Sequence, residues 1–465
     1  MLVGMLQVSD IEHAQAQLCA ITDAVDVIEL RLDYYTSWDL DALYAFRQTI
    51  TKPIIATIRK VADGGVCSLP ETTHAKRLLD CIQLKPQYID IEKESDPKLI
   101  DAIKEADPSI KIIYSYHHLK TTPSDIVGIY QAMQQPMVDY YKIVTTAESS
   151  IDGLRMLFFL KQHNQHGRII AHCMGEDGFF SRILNLKFQS PWTYINPPTP
   201  VFSHGLSIID GETYGLRRIN QHTQIYALLG KPVSKSPGHL FHNAHFREKN
   251  KSAVYVKIVI NQEELPTAWE YIKKLDFSGL SITIPLKEMM ANLLQSFDDK
   301  AINTVSCQPL VRYTNTDGDG AVLAIKKHGS CLRKKVLILG SGGTANGIAM
   351  ALNLESCQII IASRNQAARE ALSCRVDGLS IHLKENTDRC DIIIGTLPPA
   401  AYQEDPELLD WIDDITGEQT LFFDANYQPK LTPLLYIGKK KGAQLIYGED
   451  LFLEQAKLQQ IFWEN

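Results

Sequence analysis

A lysine set inside a strand-like run, Tyr140-Tyr141-Lys142-Ile143-Val144, is the first residue of this sequence that points to chemistry. Apolar neighbours strip water from its ammonium, and desolvation favours the neutral amine that attacks a ketone. A strand-end lysine reaching out to solvent is the plainer alternative. His117, at the end of another strand-like run, can take and return a proton, although a lone histidine is more often a satisfied core residue. Farther on, Ser234 and Ser236 bring two hydroxyls into a tight loop just before a helix. They suit a small acid's carboxylate with the helix dipole assisting, or form a simple turn and N-cap. The stretch Leu332 to Arg364 reads strand, turn, helix, strand. Gly340, Gly342 and Gly343, with Ser341, Thr344 and Ala345, make a turn whose free helix N–H groups suit a pyrophosphate. Ser363-Arg364 stands where an NAD fold usually carries Asp or Glu, and a guanidinium there favours the 2′-phosphate of NADP.

The elements that must position these residues form a long chain. Its 465 residues suggest roughly three compact units, and 45% hydrophobic with 22% charged residues is ordinary for a soluble globular protein. A net charge of −7 argues against a general nucleic-acid binder. Nine cysteines are scattered from Cys19 to Cys390 without a Cys-x-x-Cys pair, which fits reduced thiols. The first residues enter a strand-like run, and no segment approaches a membrane span, so the expectation is a cytoplasmic protein with no membrane partner. The oligomeric state stays open, a homo-oligomer included. His239, His242 and His245 fall at helical spacing without a carboxylate or cysteine to complete a metal set, and read as a helix face.

Up to Arg218, apolar runs alternate with amphipathic stretches. Strands are expected at Met1–Leu6, Val25–Arg31, Pro53–Arg59, Tyr88–Ile91, Ile110–Tyr116, Val138–Val144, Arg168–His172 and Trp192–Ile195. Helices at Trp38–Gln48, Thr72–Leu84, Pro123–Met133 and Ile151–Asn164 separate some of them. The pattern predicts an α/β fold, a (β/α)8 barrel, with an open doubly wound sheet as the competitor. Glu29, Arg31, Arg59, His117 and Lys142 then fall at C-terminal strand ends, with Arg182 after the seventh, where a barrel holds its chemistry.

Together, Glu29-Leu-Arg31-Leu-Asp33, Arg59 through Gly64-Gly65, Ser115-Tyr-His117, Tyr141-Lys142-Ile143 and Phe180-Ser-Arg182 resemble type I 3-dehydroquinate dehydratase across nearly all of this half. The resemblance implies that Lys142 forms a Schiff base with the substrate ketone and that His117 is the general acid/base. It also implies that Glu29, Arg31, Arg59 and Arg182 hold the hydroxyls and carboxylate. Asp63 stands where the family has the glutamate that partners the catalytic histidine, and Ser203 is the nearest match to the family's last-strand serine.

From Ile225 onward, the serine loop, Gly279-Leu-Ser-Ile-Thr283-Ile-Pro-Leu-Lys287-Glu288, Ala301-Ile-Asn303-Thr304, Thr314-Asn-Thr-Asp317-Gly318 and the glycine turn resemble shikimate dehydrogenase. The implied proton-transfer pair is Lys287 with Asp317. Ser234, Ser236, Thr283, Asn303, Tyr427 and Gln455 are implied substrate ligands, and NADP(H) the cofactor. Ser281 occupies a position where the family commonly has Asn. The implied organisation is a dehydratase barrel over 1–218, then a two-lobed unit: a substrate domain over 222–320 completed by 440–465, and a Rossmann-like NADP domain over 321–439. Such a chain would dehydrate 3-dehydroquinate to 3-dehydroshikimate and reduce that to shikimate. A dehydrogenase carrying an inactive scaffold barrel and a metabolite-sensing regulator are the rival readings.

Overall fold

Side-chain alternation along each strand decides what fills the interior of the first half. The computed structural model describes residues 1–198, 205–296, 301–385 and 387–465. Strands β1 (Leu2–Gln7), β2 (Val27–Arg31), β3 (Ile54–Thr57), β4 (Tyr88–Glu92), β5 (Lys111–His118), β6 (Tyr140–Thr146), β7 (Ile169–Met174) and β8 (Thr193–Ile195) form one parallel sheet. Its order is β7-β6-β5-β4-β3-β2-β1-β8. Sequence neighbours are therefore spatial neighbours and β8 returns to β1, as in a nearly closed (β/α)8 barrel. A doubly wound sheet would reverse its order midway. The expected strands fall within a few residues of these bounds. The expected helices are found at Leu40–Gln48, Glu71–Asp80, Ile126–Ala132 and Ser150–His163.

One layer of the barrel interior is apolar: Val3, Val27, Ile55, Ile113, Ile170, Trp192 and Tyr194 cluster there, with Tyr88 and Tyr140 packed against them. Trp192 meets Tyr140 and Tyr88 at ring-centre distances of 4.9 and 5.3 Å. Two residues farther along β2 to β6 the same face becomes polar: Val27 gives way to Glu29 and Arg31, Ile55 to Thr57, Tyr88 to Asp90 and Glu92, Ile113 to Ser115 and His117, Tyr140 to Lys142. A period of two thus stacks a ring of ionisable groups on an apolar floor.

By its internal contacts the chain divides into two units, Met1–Ala227 with His239–Phe277, and Leu228–Gly238 with Ser278–Asn465. Chain continuity across the division runs through β9 (Gln224–Gly230), and β10 (Ala253–Val259) follows in the first unit. There the helix Ser150–His163 packs on the helix Leu265–Lys274. Phe158 and Tyr271 meet edge-on at 6.0 Å, and Lys161 Nζ donates to the Lys274 carbonyl at 2.7 Å.

In the second unit, β11 (Phe277–Ile282), β12 (Thr304–Ser306) and β13 (Arg312–Thr314) pair antiparallel in sequence order. Then β14 (Lys335–Leu339), β15 (Gln358–Ala362), β16 (Leu379–Ile381), β17 (Ile392–Gly395), β18 (Leu421–Asp424) and β19 (Leu445–Ile446) form a parallel sheet. Its order, β16-β15-β14-β17-β18-β19, is that of a dinucleotide-binding fold and reverses at the C-terminal end of β14. Both faces are covered, which is why these strands read as unbroken apolar runs. Val336 and Ile338 face the core that contains Ile325, Ile348 and Leu352, whereas Leu337 and Leu339 face the core of Leu408, Ile412 and Leu434. Truncating a side chain such as Ile338 to Ala costs about 2–5 kcal/mol.

Candidate active sites

The polar ring of the barrel closes around Lys142. Its Nζ donates to Asp90 Oδ2 at 3.1 Å, stands 3.7 Å from Glu29 Oε1, and lies 4.5 Å from the centre of the Tyr194 ring. Asp90 also accepts from Arg59 Nη2 at 2.7 Å and from Ser115 Oγ at 2.6 Å, and Glu29 accepts from Thr57 Oγ1 at 2.8 Å. Arg31 is committed elsewhere, with its fork on both oxygens of Asp33 at 2.8 Å each. All of these side chains are buried.

These contacts correct the expectation that desolvation leaves Lys142 neutral. Burial does lower the pKa of its ammonium, but Tyr194, Asp90 and Glu29 more than reverse this and raise it above the ordinary lysine value. Burial pushes the Tyr194 phenol up to about 12, so near neutral pH the two carboxylates are the counter-charges. Lys142 therefore rests as an ammonium. His117 shows the opposite balance: burial, Arg59 and Lys142 lower its pKa well below the usual histidine value, and the ring is neutral. Its Nδ1 stands 3.7 Å from Asp63 Oδ1, beyond hydrogen-bond range, and has no hydrogen-bond partner.

Arg182, on the helix Phe179–Leu184, is buried and its Nε is unpartnered; burial brings its guanidinium down to about 10. A buried guanidinium without an anion is unfavourable by itself and is a ready receptor for a substrate carboxylate. Ser203 lies outside the described residues. Sequence reasoning missed Thr57, Asp90, Tyr194 and His172. The last is buried on β7, and its pKa is pushed well below the usual value by burial, Arg182 and Lys142. Stepping by two from each apolar floor residue would have found all four.

In the second unit, Lys287 opens the helix Lys287–Leu293, and Asp317 lies in the first turn of the helix Thr316–Lys326. Lys287 Nζ donates to Asp317 Oδ2, and the other oxygen accepts from Asn303 Nδ2 at 2.7 Å. Asn303 also accepts at Oδ1 from the Thr316 N–H at 2.9 Å and from Thr304 Oγ1 at 2.7 Å. Gln455, on the helix Gly448–Glu464, accepts from Thr316 Oγ1 at 3.4 Å. One turn farther along that helix, Gln459 accepts from Ser281 Oγ at 3.0 Å and donates to Thr304 Oγ1 at 3.1 Å. The residue in the asparagine position is thus anchored by a glutamine that motif reading did not pick out. Tyr427 and Ser236 share a side-chain hydrogen bond, which offsets part of the rise that burial causes in the Tyr427 pKa. Ser236 Oγ also accepts from the Gly238 N–H at 3.2 Å, so it caps its helix as well as meeting Tyr427. Thr283 follows β11 directly and is half-buried.

At the reversal of the six-stranded sheet, Gly340 takes φ +117°, and a Cβ there would meet Thr396 Oγ1 at 2.3 Å. Only glycine fits that turn. A Cβ at Gly342 would meet nothing within 4 Å, so the turn presents open backbone at the start of the helix Gly343–Leu354. Ser341 Oγ bonds Ser363 Oγ at 2.9 Å, tying the turn to the end of β15, and Arg364 beside it is exposed. These features fit a dinucleotide: open N–H groups for a pyrophosphate and an exposed guanidinium one strand away.

The type I 3-dehydroquinase family model matches residues 4–203, and that of the shikimate dehydrogenase substrate binding domain matches residues 228–307. The shikimate biosynthesis protein AroDE of Chlamydia muridarum is 31% identical over 398 residues, covering 83% of this chain and 80% of that protein. The chain belongs to the AroDE family of shikimate biosynthesis proteins. A more distant relative is the bifunctional 3-dehydroquinate dehydratase/shikimate dehydrogenase, chloroplastic, of Arabidopsis thaliana. It is 28% identical over 464 residues, covering 93% of this chain and 76% of that protein. The second half alone is similar to the shikimate dehydrogenase (NADP(+)) of Aquifex aeolicus, 31% identical over 245 residues, 51% of this chain and 90% of that protein. Among the described residues, no helix is long and apolar enough to cross a membrane.

Proposed function

We propose that Lys142 and His117 perform the first of this enzyme's two reactions, and Lys287 with Asp317 the second. The chain is a bifunctional shikimate-pathway enzyme, a 3-dehydroquinate dehydratase and a shikimate dehydrogenase that uses NADP(H). Dehydratase chemistry is assigned to 1–218. The substrate lobe is assigned to 222–320 with 440–465, and the nucleotide lobe to 321–439.

In the barrel, Arg182 takes the carboxylate of 3-dehydroquinate, while Arg59, Glu29 and Ser203 hold hydroxyls, with Arg31 aligned by Asp33. Lys142 gives up a proton to Glu29 as substrate arrives, and its amine adds to the ketone carbon. Glu29 returns the proton to the adduct's hydroxyl, which leaves as water and gives an iminium. Neutral His117 removes the adjacent proton, and the resulting enamine expels the C1 hydroxyl, which leaves as water with a proton from His117. Hydrolysis of the iminium frees 3-dehydroshikimate and Lys142. The observation that carries this reading is the buried Lys142–Asp90–Glu29 cluster in the same ring as neutral His117.

In the second unit, Ser234, Ser236 and Tyr427 hold the carboxylate of 3-dehydroshikimate, and Thr283, Asn303 and Gln455 its hydroxyls. Lys287, held by Asp317, protonates the ketone oxygen. NADPH supplies the hydride when bound. Gly340, Ser341, Gly342, Gly343, Thr344 and Ala345 hold its pyrophosphate, and Ser363 with Arg364 its 2′-phosphate. The surroundings assigned to the enzyme are cytoplasmic, with no nucleic-acid or membrane partner.

Borohydride reduction in the presence of 3-dehydroquinate tests the barrel assignment. A stable adduct on the peptide containing Lys142 is expected; labelling elsewhere, or none in an active preparation, would sink it.

A further inference from the structure

Within the unit that contains the barrel, a cavity of about 220 Å³ opens between residues 214–223, which follow the barrel, and residues 243–253. Arg218, Arg247, Lys251, Asn220, Asn250 and Ser252 line it, and no aspartate or glutamate does. None of these residues belongs to either active site.

The two guanidiniums are held by neutral partners. Arg218 Nη2 donates to Asn250 Oδ1 at 2.9 Å, and Arg247 Nη1 donates to the carbonyls of Glu212 and Thr213 at 3.2 and 2.8 Å. Such contacts orient a guanidinium without cancelling its charge. Lys251 lies along an aromatic wall, with Nζ 5.1 Å from the Tyr226 ring centre and 5.4 Å from that of Phe246. Three cations and several amide and hydroxyl groups therefore converge on one recess.

A monocarboxylate would match only one of the two guanidiniums. A phosphate group carries about −1.5 to −2 near neutral pH and offers acceptor oxygens to two guanidinium forks. We infer that this cavity is a binding site for a phosphate group, either free or as a small phosphomonoester, clamped between Arg218 and Arg247. The bound anion would tie the segment after the barrel to the helix Gly238–Glu248 and raise the unfolding temperature of the chain. The inference does not rest on the catalytic assignments.

Calorimetric titration of the full chain tests it, with inorganic phosphate in one arm and glycerol 3-phosphate in the other. Saturating NADP⁺ occupies the dinucleotide site in both. Wild-type protein is expected to bind at least one of them saturably, with affinity about ten-fold weaker in Arg218→Gln and in Arg247→Gln. Tighter binding of the ester assigns the site to a phosphomonoester, and tighter binding of inorganic phosphate to the free ion. Both variants should still reduce 3-dehydroshikimate, which shows that they fold. Absence of saturable heat from both ligands at tens of millimolar would overturn the inference, as would unchanged affinity in the Arg218→Gln/Arg247→Gln double variant.

Discussion

His117 Nδ1 stands 3.7 Å from Asp63 Oδ1, just beyond hydrogen-bond range. A glutamate at this position would extend the carboxylate by one methylene, about 1.5 Å, enough to close the gap. Asp63→Glu should therefore orient the imidazole and raise dehydratase kcat by about two- to ten-fold. Asp63→Asn, which removes a charge but no formed hydrogen bond, should change kcat by less than about three-fold. A fall in kcat on Asp63→Glu would show that the shorter side chain is the adapted one.

Arg182 is buried, its Nε has no hydrogen-bond partner, and among the described residues no carboxylate pairs with it. Arg182→Gln should raise KM for 3-dehydroquinate by about 10- to 100-fold, the loss of a charge-assisted pair of hydrogen bonds. The melting temperature should hold or rise, because an uncompensated buried charge is removed. A lowered melting temperature with unchanged KM would mark Arg182 as structural.

Much of this was legible in the sequence, and the misses share a physical cause. Lys142, His117 and Arg182 stand out because charged or titratable groups beside apolar runs are rare. The glycine turn stands out because Gly340 needs a positive φ. Asp90 did not, since an aspartate within an Ile-Asp-Ile-Glu run near a strand end reads equally well as a solvated position. Only the sheet register, which sets Thr57 beside Asp90 and Ser115 beside Lys142, shows that these residues share one ring. The protonation state of Lys142 was misjudged for the same reason: apolar sequence neighbours were visible, whereas its carboxylate neighbours come from β2 and β4. Gln459 escaped notice because a helix amide 178 residues from Ser281 carries no local signal.

Glu92 links stability to pH. Burial raises its pKa from 4.5 to about 7, although Arg59 and the Lys60 N–H pull it down. With the folded value above the unfolded one, its contribution to stability is full below pH 4.5 and is lost as pH rises through 7. Glu92→Gln should therefore stabilise the protein at pH 8, on the order of 1–3 kcal/mol, and have little effect at pH 4. Denaturant unfolding at the two pH values checks this; equal effects at both would contradict it.

Cofactor choice is assigned to Arg364. Arg364→Ser should raise KM for NADPH by about ten-fold or more and leave KM for NADH within about two-fold, as removal of a 2′-phosphate contact requires. Parallel changes for both cofactors would point to a folding defect of the turn.

The central claim is that one chain carries two working centres with separate lysines. Its most direct test follows NADPH absorbance with 3-dehydroquinate or 3-dehydroshikimate as the sole carbon substrate, for wild type, Lys142→Met and Lys287→Met. Wild type should oxidise NADPH from either substrate, Lys142→Met only from 3-dehydroshikimate, and Lys287→Met from neither at more than a small fraction of the wild-type rate. Oxidation from 3-dehydroquinate by Lys142→Met, or its absence in wild type, would contradict the account.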